Sequence, residues 1–506
     1  MKKWGPLFVL SLALTIIIID TTLLNVSLAT LIRELHTNLR SLQWVISAYS
    51  LTLAAFTVTG GRMGDLFGRK RMFCLGAILF AIGSFVASIS NNIPTLLLGE
   101  SIIEGIGASL MMPATASLLV AKYRGHDRAI AFGIWGGAAA AASVIGPILG
   151  GFLTTHYSWR WGFRINVFVV AALLVGSLII EDNQPRNPKR IDYLGVLLSA
   201  LGLFLIVFGI IESTTYGWWG PKPVTPLSVG AGIVILVLFA LWERRLEARG
   251  GAPIVSMRLF RNGPFLAGAS ITGCLMLSQN GIIFSLPVFL QSVLMLDALH
   301  TGIALLPMSI GLLIFSPLAG VLAKRIANKR LVQIGMALSI IALFTLYFTL
   351  REGISPQALI PGLALYGMGL GFVLSQVNNL TLSSVSVKEA GEASGVSNTF
   401  RQIGATLGAA LIGAVMLNTI VVHLEYAVNA GTVSPALRNE VHEVLRSEPT
   451  SIAFGTPEVF RNPQLSRVRA EATTEGNRRA LLYGAAFAVL GLVVSTKLPE
   501  RAAQHE

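Results

Sequence analysis

Apolar residues run through this chain in blocks long enough to cross a lipid bilayer, separated by short polar segments. A helix that spans the hydrocarbon core needs about twenty predominantly apolar residues. By that measure the pattern predicts helices over 7–30, 44–61, 72–90, 94–120, 130–153, 165–181, 191–212, 227–242, 264–291, 301–323, 331–350, 357–384, 393–423 and 480–497. The expected fold class is therefore an all-α integral membrane protein with fourteen transmembrane helices. The first block follows Lys2 and Lys3, as the core of a secretory signal does. It runs on from Leu7 through Asp20 to Leu31 with no small-residue cleavage pattern behind it, and reads as the first spanning helix.

Composition agrees with lipid as the solvent. Of 506 residues, 53% are hydrophobic and 12% charged, against about 25% charged in soluble domains. The net charge of +13 would suggest nucleic acid if it were spread evenly, but it is not. With the N-terminus placed in the cytoplasm, 24 of the 38 Lys and Arg fall on the cytoplasmic side. The short outward loops carry 6, the long segment after the thirteenth block carries 7, and Arg401 lies within a span. Positive charge in short loops stays inside, so both termini are expected in the cytoplasm, and the positive balance reflects orientation, not a nucleic-acid partner. Trp4, Trp44, Trp159, Trp161, Trp218, Trp219 and Trp242 fall near predicted span ends, where amphipathic rings settle.

Candidate chemistry is sparse. Cys74 and Cys274 lie inside apolar blocks and make neither a disulfide framework nor a metal spacing. The 7 histidines fall at span ends, in loops or in tails without paired spacing, and no Gly-Lys-Ser/Thr phosphate loop is present. No metal site, no direct use of ATP and no catalytic residue is expected.

The blocks group as six, two and six. Residues 1–185 form an N-terminal six-helix bundle that ends at the polar stretch from Glu181 to Arg190. Residues 186–250 hold two additional helices. Residues 251–506 form a C-terminal six-helix bundle, entered through the basic stretch from Glu243 to Asn262. The longest hydrophilic segment, about 424–479, is expected as an extracytoplasmic surface hairpin. Within it Ser434-Pro435 has the form of an N-cap and first turn, with Leu437, Val441, Val444 and Leu445 along one face.

Three short patterns carry more. Gly61-Arg62-Met63-Gly64-Asp65-Leu66-Phe67-Gly68-Arg69-Lys70 joins the second and third blocks. Its glycines permit a tight turn and close helix approach, and Asp65 can pair with the arginines or cap the third helix. Gly146-Pro147 followed by Gly150-Gly151 lies inside the fifth block, where proline and glycine bend a span and allow close packing. Asp20-Thr21-Thr22 and Asn25-Val26-Ser27-Leu28 lie in the first block. In these residues the chain resembles the major facilitator superfamily, and within it the fourteen-span drug:proton antiporters of multidrug efflux type. Trp44 to Tyr49, Trp159-Arg160-Trp161 to Asn166, and Arg401-Gln402 with Gly404 and Gly408 match that family as well.

The resemblance implies the major facilitator fold, two six-helix bundles plus two extra helices around a midplane site, rocking by alternating access. It implies a gating role for the Gly61–Lys70 loop and a gate-forming bend at Gly146–Gly151. Small-molecule substrates, amphipathic and cationic, would be exported against protons, with the proton gradient as the drive and no cofactor. The expected setting is the plasma (inner) membrane of a bacterium, with membrane lipid around a monomer. The long outer loop leaves room for a periplasmic adaptor protein. Export of lipids or of one specific metabolite, and a transport-inactive receptor or sensor, remain open. The chain departs from the family pattern at Leu66, where a basic residue is common, at Ala29, where proline is usual, and at Ser101, where an arginine is normal.

Acids buried in spans single themselves out, since a charge at a span centre costs about 2.5–3.5 kcal/mol on insertion scales. Asp20, Glu100 and Glu104 are expected at similar depth in the N-terminal half, and Glu100 and Glu104 share a helix face at i, i+4. With the family arginine absent, Glu104 is expected to take over proton coupling or cation binding, beside Asp20 and Glu100. The plain alternative is that these acids only bond Arg164, Ser101 or a neighbouring helix. Asn25, Gln279, Asn280, Gln376, Asn379 and Arg401 are candidate cavity residues, with Asn378 as a further polar group. Arg401 can equally snorkel to the cytoplasmic interface, and Met276, Phe284 and Phe372 can serve as adaptable wall or as packing.

Overall fold

The computed structural model describes residues 3–502 except 38, 182–191, 217–221, 252, 297, 387–388, 430–437 and 439–462. Ser434, Leu437, Val441, Val444 and Leu445 of the expected outer helix, and Trp218 and Trp219, lie outside the described residues. Among the described residues all regular structure is helical. The long helices of the N-terminal half are α1 (Gly5–Glu34), α2 (Leu39–Phe67), α3 (Arg69–Ser88), α4 (Ile93–Lys122), α5 (Gly125–His156) and α6 (Arg160–Gly176). Next come α7 (Tyr193–Tyr216) and α8 (Val224–Ala248). The C-terminal half holds α9 (Gly263–Ser292), α10 (Ala298–Leu322), α11 (Asn328–Thr349), α12 (Ile360–Ser383), α13 over 390–429 and α14 (Pro463–Ser495). Eleven described helices are long and apolar enough to cross a membrane.

Helix ends are set locally. Gly68 at φ 104° separates α2 from α3, a backbone angle glycine reaches without steric cost. The Asn92 side chain accepts the Thr95 N–H at 2.9 Å to open α4, and the Asn262 side chain accepts the Phe265 N–H at 3.1 Å to open α9.

The helices pack as two bundles and a hairpin. In the N-terminal bundle α1 lies on α5 and α6, and α3 on α4 and α6. In the C-terminal bundle α9 lies on α12, α13 and α14, while α12 packs on α10 and α11. The pair α7–α8 packs on itself and touches the rest mainly through α7 on α2. Small residues let backbones approach, as is usual where no hydrophobic drive separates helix from lipid. A Cβ at Gly83 on α3 would stand 2.5 Å from the Glu104 nitrogen and 2.6 Å from the Gly99 carbonyl oxygen of α4.

The hydrophilic segment expected over 424–479 is largely helical where described. The helix over 390–429 runs to Asn429, and α14 already begins at Pro463. Leu424 and Val428 of α13 pack in one apolar cluster with Leu465 and Ala472 of α14. Arg467–Glu471 and Arg479–Glu475, ion pairs at i, i+4, line the polar face of α14. Apolar periodicity was carried past the membrane boundary by a two-helix seam that a span-length criterion does not register. At 1.5 Å per residue α13 extends about 60 Å, twice the roughly 30 Å hydrocarbon core.

The α3–α4 seam has a direct stability test. Gly83→Ala is expected to destabilise the purified protein by about 1–3 kcal/mol through overpacking, read as a lower midpoint of thermal unfolding. Gly230→Ala, where nothing lies within 4 Å of an added Cβ, should leave the midpoint unchanged.

Candidate functional site

The close α3–α4 approach sets the depth at which α4 presents its acids. Residues Leu97–Glu104 of α4 adopt a π-helical pattern, a widening frequent at functional sites. Glu100, Ser101 and Glu104 are all essentially inaccessible, as is Asp20 on α1. Asn166 of α6 lies among them: its Nδ2 donates to Asp20 Oδ1 at 2.8 Å and to Ser84 Oγ at 2.9 Å, and lies 3.3 Å from Glu104 Oε1. Ser84 of α3 donates its hydroxyl to the same Glu104 oxygen at 2.8 Å. The Asp20 and Glu104 carboxyl groups also meet each other. Glu100 lies one turn away against Ser101 Oγ at 2.6 Å, and that hydroxyl is 2.7 Å from the Val45 carbonyl of α2.

Five helices, α1, α2, α3, α4 and α6, thus bring Asp20, Glu100 and Glu104 into one cluster, and no Lys or Arg bonds to it among the described residues. Arg164, weighed as a partner for these acids, stacks on the Trp161 ring instead, 5.3 Å from its centroid. Asp20 Oδ2 and Glu104 Oε2 are buried without a hydrogen-bond donor among the described residues, and so is the hydroxyl of Tyr49, which stands among the three acids. Sequence reasoning missed Ser84 and the central place of Asn166 and Tyr49. Only the last two lay in patterns that had stood out, and nothing in their spacing pointed to the acids.

The Gly61–Lys70 loop forms a second site, at the junction of the halves. Asp65 Oδ1 accepts from Arg69 Nε at 3.0 Å and NH2 at 2.8 Å. Arg69 is fully buried and also reaches the Ser117 carbonyl at 3.2 Å. Asp65 caps a helix, but not α3: it accepts the Gly391 N–H at 3.2 Å and the Glu392 N–H at 2.7 Å, the first turn of α13. The cap crosses to the other bundle because Gly61 and Gly391 lie backbone to backbone, which brings the α13 N-terminus onto α2. Arg62 pairs with Glu392 at 3.4 Å. A Cβ at Gly64 would meet Arg69 only at an ordinary 3.8 Å, so of these glycines Gly61 supplies the approach and Gly68 the turn. Leu66 is buried, and Lys70 stays half-exposed.

The fifth-block glycines sit in an unbroken α5 that continues through Pro147. Gly146 and Gly150 are buried and Gly151 half-buried. Contact between the halves along α5 comes from an earlier group that sequence reasoning passed over. Gly133 and Gly137 meet Ser316 and Pro317 of α10, and the Ser316 hydroxyl donates to the Gly133 carbonyl at 2.9 Å. Closely spaced glycines at 133, 136 and 137 were the available signal. These approaches lie toward the same end as the Gly61–Lys70 loop. Toward the other end α5 exposes Ile145, Ile148 and Phe152.

The C-terminal candidates do not converge in the same way. Gln376 is buried and accepts from Asn328 Nδ2 at 2.7 Å, so it ties α12 to α11. Asn280 and Asn378 donate to carbonyls of their own helices, at Met276 and Leu374. Asn379 is buried with neither amide atom hydrogen-bonded to a described residue, and the Gln279 side-chain oxygen likewise finds no donor among them. Arg401 is half-buried on α13 and makes no ion pair with a described residue. Met276 is packed in the core and Phe372 stands edge-on to Phe315 at 5.7 Å. Asn25 lies on α1, with its side chain outside the description. Among the described residues no cluster of His, Cys, Asp and Glu is arranged to hold a metal ion.

The comparisons fit this architecture. The family model for the Major Facilitator Superfamily matches residues 10–409. The chain belongs to that superfamily of membrane transporters, and it is not an enzyme. It is 30% identical to the puromycin resistance protein pur8 of Streptomyces alboniger, over 94% of this chain and 92% of that protein. It is also 30% identical to a probable actinorhodin transporter of Streptomyces coelicolor, over 81% of this chain and 72% of that one. Identity is 29% to the multidrug resistance protein Stp of Mycobacterium tuberculosis, over 86% and 80%. Among solved structures, the proton:xylose symporter XylE superposes with a TM-score of 0.64 at 12% identity, covering 99% of this chain and 97% of the other. At that identity the likeness is one of fold.

Asn166→Ala takes away the amide that Asp20 and Ser84 share. It is expected to cost about 1–2 kcal/mol, the range for a side-chain hydrogen bond between membrane helices, seen as a lowered thermal midpoint in detergent. Asn398→Ala, whose amide bonds only its own helix, should cost less.

Proposed function

We propose that this chain is a proton-coupled multidrug antiporter that crosses a bacterial plasma membrane fourteen times, with both termini in the cytoplasm. It exports amphipathic, cationic small molecules by alternating access. The observation that carries this reading is the cluster of Asp20, Glu100 and Glu104, buried among five helices without a basic partner among the described residues. Acids held together without a cation need a proton or a cationic ligand to neutralise them, and exchange of one for the other is antiport. Helices α1, α5 and α13 complete the fourteen spans, since each packs within a bundle whose other members are apolar enough to cross. The loop Gly61–Lys70 acts as the cytoplasmic gate, and the Gly146–Gly151 stretch keeps α5 able to pack closely as the halves move. Gln279, Asn379 and Arg401 face the substrate path from the C-terminal side.

A second reading, export of one particular metabolite, is favoured by relatives named for single compounds, actinorhodin and tetracenomycin C. Flux in loaded proteoliposomes tests both. Under an imposed proton gradient the wild type should move a lipophilic cation faster than a neutral analogue, and removing the gradient should stop the excess. Asp20→Asn and Glu104→Gln should each lose gradient-driven export while the protein stays folded. Gradient-driven export that survives in Glu104→Gln would show that Glu104 is not the coupling group. Equal gradient-driven rates for cation and neutral compound would favour the second reading.

A further inference from the structure

The basic stretch between α8 and α9 is built as a strap across the cytoplasmic seam. At Gly250, φ 72°, the chain leaves α8 and turns back, and Gly251 N–H bonds the Leu246 carbonyl at 2.9 Å. Ile254 and Val255 are then buried in an apolar cluster that also holds Val58 of α2, Ala116 of α4, and Ala390 and Ala393 of α13. The Ile254 N–H donates to Glu243 of α8 at 2.9 Å, and the Glu243 side chain is fully buried. One residue on, the Ser256 N–H donates to Glu392 Oε1 of α13. The other oxygen of Glu392 faces Arg62 of α2. Further along, Asn262 Nδ2 donates to the Ser384 carbonyl at 2.7 Å, at the end of α12.

One carboxylate therefore joins three bodies: the N-terminal bundle through Arg62, the C-terminal bundle as part of α13, and the strap through Ser256. The strap is held at its other side by α8, whose partner α7 packs on α2. We propose that residues 253–259, anchored by Glu243 and Glu392, form a second cytoplasmic latch. Through it the α7–α8 hairpin biases the transporter toward the state in which its cytoplasmic side is closed. Opening that side would then cost the Ser256–Glu392 bond in addition to the Asp65 cap. This rests on the alternating-access reading and is independent of proton coupling. A charge-assisted bond that exists in one state and not in the other shifts the balance by its own free energy.

The test is a distance measurement across the seam. Spin labels are placed at Arg124→Cys and Lys324→Cys, exposed positions at the cytoplasmic ends of α5 and α10, with Cys74 and Cys274 replaced by alanine. Ser256→Pro deletes the N–H donor and Ser256→Ala keeps it. Ser256→Pro should raise the population with separated α5 and α10 ends roughly tenfold, the change that one such bond carries, and Ser256→Ala should match wild type. Glu243→Ala, which frees the α8 side and leaves Asp65 and its cap in place, should shift the balance the same way, and it stands in if the proline variant does not fold. Asp65→Asn shows that the gate is measurable. If Asp65→Asn separates the ends while the strap variants leave the distances unchanged, the latch does not exist. A transporter whose acid cluster proved uncoupled from protons would still show the strap effect, so the two failures are distinguishable.

Discussion

The carboxylate of Asp65 is the interaction on which the arrangement of the two halves depends. It neutralises Arg69, a guanidinium with no access to solvent, and it accepts two N–H groups from the first turn of α13 in the opposite bundle. Each need would be expensive alone. A buried guanidinium without an acid is strongly destabilising, and a helix start buried without an acceptor leaves its first amides unmet. A single side chain serves both because Gly61 and Gly391 let the backbones touch. Once α13 is drawn onto α2 there, Glu392 comes within reach of Arg62 and of the strap, and α5 meets α10 along Gly133 and Gly137.

Charge is handled in opposite ways at the two sites. At the seam between the halves acids and bases are paired in place, Asp65 with Arg69 inside the N-terminal bundle and Arg62 with Glu392 across to α13. In the N-terminal bundle Asp20 and Glu104 share the Asn166 amide, Ser84 and Ser101 bond Glu104 and Glu100, and among the described residues no base joins them. The first arrangement is a lock, complete as it stands. The second leaves carboxyl oxygens of Asp20 and Glu104 unmet, which suits a site whose neutralising partner comes and goes.

The additional pair α7–α8 makes its contact with the transporter by packing on α2 and through the strap that follows it. Two helices appended between two bundles would otherwise have no bearing on how the bundles move. The buried Glu243, the burial of Ile254 and Val255 and the Ser256–Glu392 bond tie the hairpin to the junction of the two halves.

Much of this was legible in the residues alone. Lipid requires every backbone group to be bonded within its own helix, so block length read the helices directly, and charge asymmetry gave an orientation to propose. The cost of burying a carboxyl marked Asp20, Glu100 and Glu104 before any coordinates, and the glycine-rich Gly61–Lys70 loop stood out as a pattern that the structure places where the two halves meet. Tertiary structure decided what those groups touch. Asp65 caps α13 and not α3, Gln376 bonds Asn328 inside the C-terminal bundle, and Asn166 sits between acids 146 and 62 residues away. The helical extensions of α13 and α14 past the apolar blocks rest on a seam between them, which block length does not encode. Sequence shows which groups are too costly to leave in lipid. The partners that make them tolerable come from other helices, and only packing selects them.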